Sequence, residues 1–267
     1  MKAELVVLGS GGFDSKGPAA RAPAGYALRL RSGTLLFDLG FGCLRQLARA
    51  GLRPEEVTHA FFTHRHPDHV GDLPALLFHL NYSTPPRAGN LQVFGPRGFC
   101  PFLERLGRAH HPWLRPRGWK IQARELEEGG VVSGPAFRLV CREVPHTTEA
   151  LAYRLESPEG SLCLSGDTAF DEGLAVFAAG AGLFVLECSL GGRERSSGHL
   201  SVEQALELGR RSGARRVLFS HLSERSERAL KRLRARGRLR SEETIAEDLL
   251  RIFLHSAGVQ RTKRRPS

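Results

Sequence analysis

The chain has 267 residues and a formal charge of +11, with 39 Lys and Arg against 28 Asp and Glu. Its 41% hydrophobic content suffices for a core, which excludes wholesale disorder. No apolar run nears the roughly 18 residues of a membrane span, and the N-terminal apolar stretch breaks at Gly9-Ser10-Gly11-Gly12, too early for a secretion signal. The basic excess is nearly all Arg. It fits a polyanionic partner such as nucleic acid, or a compositional habit without function. Cys43, Cys100, Cys141, Cys163 and Cys188 are odd in number, widely spaced and free of any C-x-x-C pair. They read as buried free thiols of a cytoplasmic protein, neither a disulfide framework nor a zinc ribbon.

In chain order, residues 5–8 form a short apolar strand that stops at the glycine turn. Residues 26–30 and 34–37 read as two strands about a turn at 31–33. Residues 42–50 have helical periodicity, ended by Gly51. Residues 58–63 are β-branched and aromatic, hence a strand. A helix then starts near Leu73-Pro74, with Pro in its first turn. In the second half, residues 137–144 alternate as a strand. Residues 151–156 and 161–164 make a hairpin across Pro158-Glu159-Gly160. Residues 183–186 are a buried strand, Ser201-x-x-Gln204 opens a helix with a capping box, and residues 216–219 are a further strand. Two terminal helices are expected after it, the last capped by Ser241. Strands that meander in each half, with helices between, suggest two sheets packed face to face.

The strongest signal is Thr63-His64-Arg65-His66-Pro67-Asp68-His69, three imidazoles and a carboxylate directly after an apolar strand. Burying such density unpaired costs several kcal/mol. Imidazole with carboxylate is a ligand set for zinc and similar borderline metals. His64 and His66 alternate and so point the same way in an extended segment. Asp68 and His69 follow one turn later and can face a second centre. Further donors stand at the ends of predicted strands: His146, Asp167 in a Gly-Asp turn, and His221.

The set Asp38, His64-x-His66-x-Asp68-His69, His146, Asp167 and His221 resembles the five-motif signature of the metallo-β-lactamase superfamily. The nearest branch resembles ribonuclease Z and small cyclic-phosphate phosphodiesterases. The residues that carry this are Leu8-Gly9-Ser10-Gly11, residues 37–42, residues 152–156 after His146, and Gly198-His199-Leu200-Ser201 before Ser220-His221-Leu222-Ser223. The resemblance implies an α/β fold, an αβ/βα four-layer sandwich of two mixed sheets flanked by helices. The expected domain spans residues 1–258, with a basic, disordered tail at 259–267. The resemblance also implies two divalent ions, zinc foremost and manganese or iron as alternatives. His64, His66 and His146 would hold one ion; Asp68, His69 and His221 would hold the other; Asp167 would bridge them. Asp38 would order the histidine loop through hydrogen bonds. Asp68 and His199 are the expected catalytic residues, His199 serving the leaving group.

Two ions about 3.5–4 Å apart bring a bridging water toward neutral pKa, ready to attack phosphorus or a carbonyl carbon. Gly9-Ser10-Gly11-Gly12 is no dinucleotide loop: the third glycine is missing, with Asp14 in its place, and prolines follow. The long arm that ribonuclease Z uses to grip tRNA sits in many members between the motif-three histidine and the bridging Asp. Here His146 and Asp167 are 21 positions apart, filled by a strand pair. The expected function is therefore a phosphodiesterase for small or cyclic phosphodiesters. The alternatives are a ribonuclease Z-like tRNA 3′ endonuclease and a carboxyl-, thio- or sulfate-ester hydrolase. The expected partner is a small anionic substrate; nucleic acid is not required, no membrane is involved, and a homodimer is compatible. Residues 85–134, with Trp113 and Trp119 among arginines, either shape substrate access or pack the sandwich. Much of the positive charge gathers at residues 225–240 and 261–265, outside these motifs.

Overall fold

The structure is a computed structural model that describes residues 3–12, 21–84, 87, 89–192, 196 and 198–254. The expected boundary at 258 and the tail at 259–267 lie outside the described residues.

The first half of the chain supplies β1 (Glu4–Gly9), β2 (Gly25–Leu30), β3 (Gly33–Leu39), α1 (Cys43–Arg49), β4 (Val57–Phe61), α2 (Pro67–Val70), α3 (Leu73–Tyr82), β5 (Leu91–Pro96), α4 (Phe99–Ala109) and β6 (Ile121–Leu126). The second half supplies β7 (Val131–Gly134), β8 (Phe137–Glu143), β9 (Leu151–Ser157), β10 (Gly160–Leu164), α5 (Glu172–Phe177), β11 (Leu183–Glu187), α6 (Val202–Arg211), β12 (Val217–Ser220), α7 (Glu224–Ala235), β13 (Glu243–Ile245) and β14 (Arg251–Phe253). Two seven-stranded mixed sheets result, in the orders β14-β1-β2-β3-β4-β5-β6 and β13-β12-β11-β10-β9-β8-β7. Antiparallel strands lead into parallel ones in both, as β3-β4-β5-β6 and β10-β11-β12-β13.

Three apolar layers hold this sandwich. Leu5, Val7, Phe37 and Phe61 of the first sheet meet Leu139, Tyr153, Leu164 and Val185 of the second in the central layer. Val6, Leu8, Leu36 and Ala60, on the opposite face of the same strands, pack against Cys43 and Leu47 of α1, Leu73, Leu76 and Leu80 of α3, and Phe99 of α4. Cys163, Phe184, Leu186 and Phe219 pack against Leu174 of α5, Ala205 and Leu208 of α6, and Leu230 of α7. Strands covered on both faces must be apolar at successive positions, which is why β1, β10, β11 and β12 read as continuous apolar runs. This is the αβ/βα sandwich expected from the sequence.

Local chemistry fixes the elements that carry the site. α6 opens on the expected capping box, with Ser201 accepting from the Gln204 amide and Gln204 from the Ser201 amide. Pro67 occupies the first turn of α2, where its missing N–H costs nothing. The β9–β10 hairpin forms where Pro158-Glu159-Gly160 was read as a turn. The helix expected after Ser241 does not form; β13 and β14 stand there. The sheet edges outcompete helical periodicity here. Ile245 and Ile252 enter the apolar layers, and the chain fills the open edges of β12 and β1. Arg210 fixes the turn by donating to both oxygens of buried Glu243 at 2.6 and 3.0 Å.

Residues 85–134 are mostly scaffold. Trp119 is buried beneath the first sheet, with the Arg87 guanidinium 5.6 Å from its ring centre, whereas Trp113 is exposed. All five cysteines are free; Cys100 alone among them is half-buried and not buried. No helix among the described residues is long and apolar enough to cross a membrane.

Candidate metal centre

The ends of β3, β4, β8, β10, β11 and β12 converge at one edge of the sandwich. Asp38 stands at the end of β3 with φ of 53°, and His221 just after β12 has the same value. Left-handed backbone is costly for a residue with a Cβ and is seen where surrounding contacts over-determine it. Both have such contacts. One Asp38 oxygen accepts the Thr63 amide at 2.8 Å; the other accepts the Thr63 hydroxyl at 2.8 Å and His69 Nδ1–H at 2.9 Å. Asp38 thus orders the loop that follows β4.

Each imidazole on the rim is oriented in turn. Because the Thr63 hydroxyl donates to Asp38, it is free to accept His64 Nδ1–H at 3.0 Å. His146 Nδ1–H donates to the Gly198 carbonyl at 2.7 Å, and His221 Nδ1–H to Ser189 Oγ at 2.7 Å. In a neutral ring the other nitrogen is then a lone pair. His64, His69, His146 and His221 therefore present Nε2 to a common centre, where His66 presents Nδ1.

The centre itself is Asp167. Its Oδ2 lies 3.3 Å from His69 Nε2 and from His221 Nε2, and 3.8 Å from His64 Nε2 and from His146 Nε2. Asp68 Oδ2 lies 3.5 Å from His221 Nε2 and 3.8 Å from His69 Nε2. Gly166 prepares this turn at φ of 60°, where an added Cβ would stand 2.8 Å from the Leu151 carbonyl oxygen. His64, His66, His146 and Asp167 form one group of mutually close ligand atoms; Asp68, His69 and His221 form another. All seven ligand candidates read from the sequence are thus brought together, with Asp167 within reach of both groups. The glycine turn after β1 packs here too: a Cβ on Gly12 would sit 3.0 Å from the His221 ring.

The donor chemistry fits metal. His69 Nε2 faces His221 Nε2 at 3.3 Å, and His66 Nδ1 faces His64 Nε2 at 3.0 Å and His146 Nε2 at 3.2 Å. Two such nitrogens repel unless a proton or a metal cation stands between them, and, although burial opposes it, Asp167 favours positive charge on His69 and His221. Burial pushes His64 far below the usual imidazole range, so its nitrogen stays unprotonated. Burial opposes charge on Asp167, yet the surrounding imidazoles, His221 and His69 foremost, hold the carboxyl well below its usual range. A buried carboxylate ringed by neutral-capable imidazoles is what borderline divalent cations select.

One participant was not legible in the sequence. Glu187, buried at the end of β11, accepts His199 Nδ1–H at 2.9 Å and the Thr168 amide at 3.0 Å through one oxygen. Its other oxygen takes the Ser189 amide and hydroxyl. Burial opposes protonation of His199, but Glu187 outweighs it and raises the imidazole above its usual range. An acid closing an apolar strand run was the available signal. Under the cluster lies a cavity of about 20 Å³, room for one water, lined by Tyr26, Asp38, Thr63, Asp167 and Glu187 among others. Among the described residues the remaining histidines stay apart: His59 packs against Phe61 and Phe137, His79 pairs with Glu55 at 2.7 Å, and His110 and His111 are exposed.

Residues 22–221 match the sequence profile of the metallo-beta-lactamase superfamily. The chain belongs to that superfamily. A ribonuclease Z from Methanothermobacter thermautotrophicus is 27% identical to it, over 85% of this chain and 89% of that protein. Its fold resembles the metallo-beta-lactamase fold protein YhfI of Bacillus subtilis, with a TM-score of 0.77 at 18% identity over 94% and 99% of the two chains. It also resembles a diphosphatase of the PhnP family, with a TM-score of 0.73 at 17% identity over 96% and 99%. The superfamily fold and the His/Asp cluster together make this chain a metal-dependent hydrolase.

Proposed function

We propose that the protein is a dinuclear phosphodiesterase acting on small or cyclic phosphodiesters. In this reading His64, His66 and His146 hold one divalent ion, Asp68, His69 and His221 the other, and Asp167 both. Bound there, the ions supply an activated water at neutral pH and a positive field for charge that builds on the substrate.

The protein's own groups do the rest. Asp38, Thr63, Gly198 and Ser189 hold the imidazoles in the tautomer that offers a lone pair. Glu187 holds His199 with Nδ1–H engaged, leaving Nε2 to carry the proton that a departing alkoxide requires. Asp68 lies beside the two nitrogens of the second group and accepts a proton from incoming water.

The observation that carries the substrate class is the connection from His146 to Asp167. β9 and β10 pair closely through it, Ser157 against Gly160 to Tyr153 against Leu164, and close on a tight turn. The connection has no protruding arm to grip a folded RNA. A panel tests this: bis(p-nitrophenyl) phosphate, a 2′,3′-cyclic nucleotide, a tRNA precursor, a lactone and an aryl sulfate, on protein whose metal content is measured. Turnover of the two small phosphodiesters is expected. The 27% identity to a ribonuclease Z favours the second reading; cleavage of the tRNA precursor without small-diester turnover would establish it instead. Fast lactone or sulfate cleavage alone would point to ester hydrolysis.

A further inference from the structure

The metal centre is braced from a place that none of its motifs mark. Among the described residues, three other than glycine adopt left-handed backbone: Asp38, His221 and Leu249. Asp38 and His221 belong to the metal centre. Leu249, with φ of 66°, lies in the connection from β13 to β14. Strain of this kind persists only where surrounding contacts hold it. Here the Leu249 amide donates to the Val7 carbonyl at 2.7 Å, and the Val7 amide to the Leu250 carbonyl at 2.9 Å. One residue earlier, this connection presents the half-buried carboxylate of Asp248.

Asp248 Oδ1 accepts the Ser10 amide at 3.0 Å and the Ser10 hydroxyl at 2.7 Å. Its Oδ2 accepts the Ala22 amide at 2.8 Å and Gln46 Nε2–H at 3.3 Å. These bonds match the lone-pair sites that a carboxylate offers. One side chain thus joins the glycine turn after β1, the segment before β2, and α1. Arg21 Nη1 donates to the same Ser10 hydroxyl at 2.6 Å, which places a guanidinium opposite the carboxylate. Hydrogen bonds to a charged acceptor are stronger than those between neutral groups.

The turn held in this way is tied to His221. The Ser10 carbonyl accepts the Leu222 amide at 2.9 Å, and the Leu222 carbonyl accepts the Gly12 amide at 3.3 Å. The residue after His221 is therefore hydrogen-bonded to the turn in both directions. These bonds hold the backbone that carries left-handed His221. Gly12 lies against the imidazole itself, where an added Cβ would stand 3.0 Å from Cε1. Ser189 orients the ring through Nδ1.

We propose that Asp248 is a positioning residue for His221, and through it for the second group of donors, Asp68, His69 and His221. Its own bonds go to none of the seven candidate ligands. His64 and His146 are oriented instead by Thr63 and Gly198, so the effect is confined to one ion. The inference rests on the reading that each group of donors holds an ion.

Chelator competition on the intact, metal-loaded protein tests it, with circular dichroism to confirm the fold. Asp248→Asn keeps the size but turns one acceptor into a donor that faces a backbone amide. In His66→Ala the ion that remains belongs to the second group; adding Asp248→Asn should weaken it about 10- to 100-fold. In His221→Ala the remaining ion belongs to the first group; adding Asp248→Asn should leave its affinity unchanged. Ser10→Ala removes one link and keeps the backbone bonds. It should give a smaller loss at the same ion, and it carries the test if Asp248→Asn does not fold. Equal losses at both ions, or a loss at neither, overturn the role of Asp248 and leave the dinuclear reading intact. A wild-type chain that binds a single ion overturns both.

Discussion

The two sheets build the metal centre in different ways. The first contributes Asp38 and then four donors from one loop, His64, His66, Asp68 and His69, within six residues. The second contributes His146, Asp167, Glu187, His199 and His221, each from a separate strand end or loop and spread over 76 positions. The first half is therefore preorganised by local geometry, one extended stretch and one turn of helix. The second exists only when β8, β10, β11 and β12 are in register. Damage should be local in the first half and cooperative in the second, and Asp167, whose Oδ2 approaches imidazoles from both, is where they join.

The largest effect is thus expected at Asp167. Asp167→Ala should cut phosphodiester turnover by about 10⁴-fold or more and lower the metal content of both sites. His66→Ala should empty chiefly one. Elemental analysis of the two purified variants separates these outcomes; equal, full metal content in Asp167→Ala would show that the halves are independent.

Next comes His199, which belongs to the dispersed half but is assigned to the proton and not to the metal. His199→Ala should lower kcat by about 10²- to 10⁴-fold with metal content intact. The loss should shrink for substrates whose leaving group needs no proton, such as p-nitrophenolate. A loss of equal size for alkyl and p-nitrophenyl diesters would remove the proton-donor role. Glu187→Gln should reproduce a fraction of the effect, since the imidazole keeps its place but loses the carboxylate that raises it.

The contrast between the halves also explains what could be read without coordinates. The loop from His64 to His69 was legible because its chemistry is compressed into a few positions, and periodicity alone gives the direction of each side chain. His146, Asp167 and His221 carried weight only as an ordered set; each alone is an ordinary polar residue after a strand. Glu187 was illegible because an acid closing a strand usually faces solvent. Only the fold buries it and turns its two oxygens toward Thr168, His199 and Ser189. The final strands were misread for a related reason. The stretch after Ser241 has a pattern compatible with a helix, and the deciding factor was remote: two open sheet edges and the Arg210–Glu243 clamp. Much of the charge located at residues 225–240 lies on α7, as a solvated helical face. Arg228 pairs with Glu224 and Lys231 with Glu227 one turn apart, with most of the remaining arginines exposed.

A smaller effect is expected from Asp38, which touches the local half from outside. Asp38→Asn keeps the size but removes the charge that three donors share. Metal affinity should fall about 10- to 100-fold, measured by competition with a chelator, while secondary structure by circular dichroism stays unchanged. Affinity equal to wild type would mean that the loop is set by Pro67 and α2 alone.

The smallest effect lies where α7 is tied to the turn beside His221. Arg21 donates to Glu227 through Nε at 3.1 Å and to Ser10 Oγ and the Ala246 carbonyl at 2.6 Å each, so it links α7, the β1 turn and the segment before β14. Arg21, with Lys231 beside it, pulls the Glu227 carboxyl from 4.5 down to about 2, against a smaller opposing effect of burial. A depressed folded-state pKa stabilises the fold fully above the unfolded value, and the gain is lost as pH falls through the folded one. Wild-type protein should therefore exceed Glu227→Gln in Tm at pH 7, by no more than about 2–4 °C for a partly exposed pair in a chain of this size. The difference should shrink steadily between pH 4.5 and pH 2 and vanish below. A gap that widens on acidification would assign the pairing to some other group, and would leave the dispersed half of the centre without this brace.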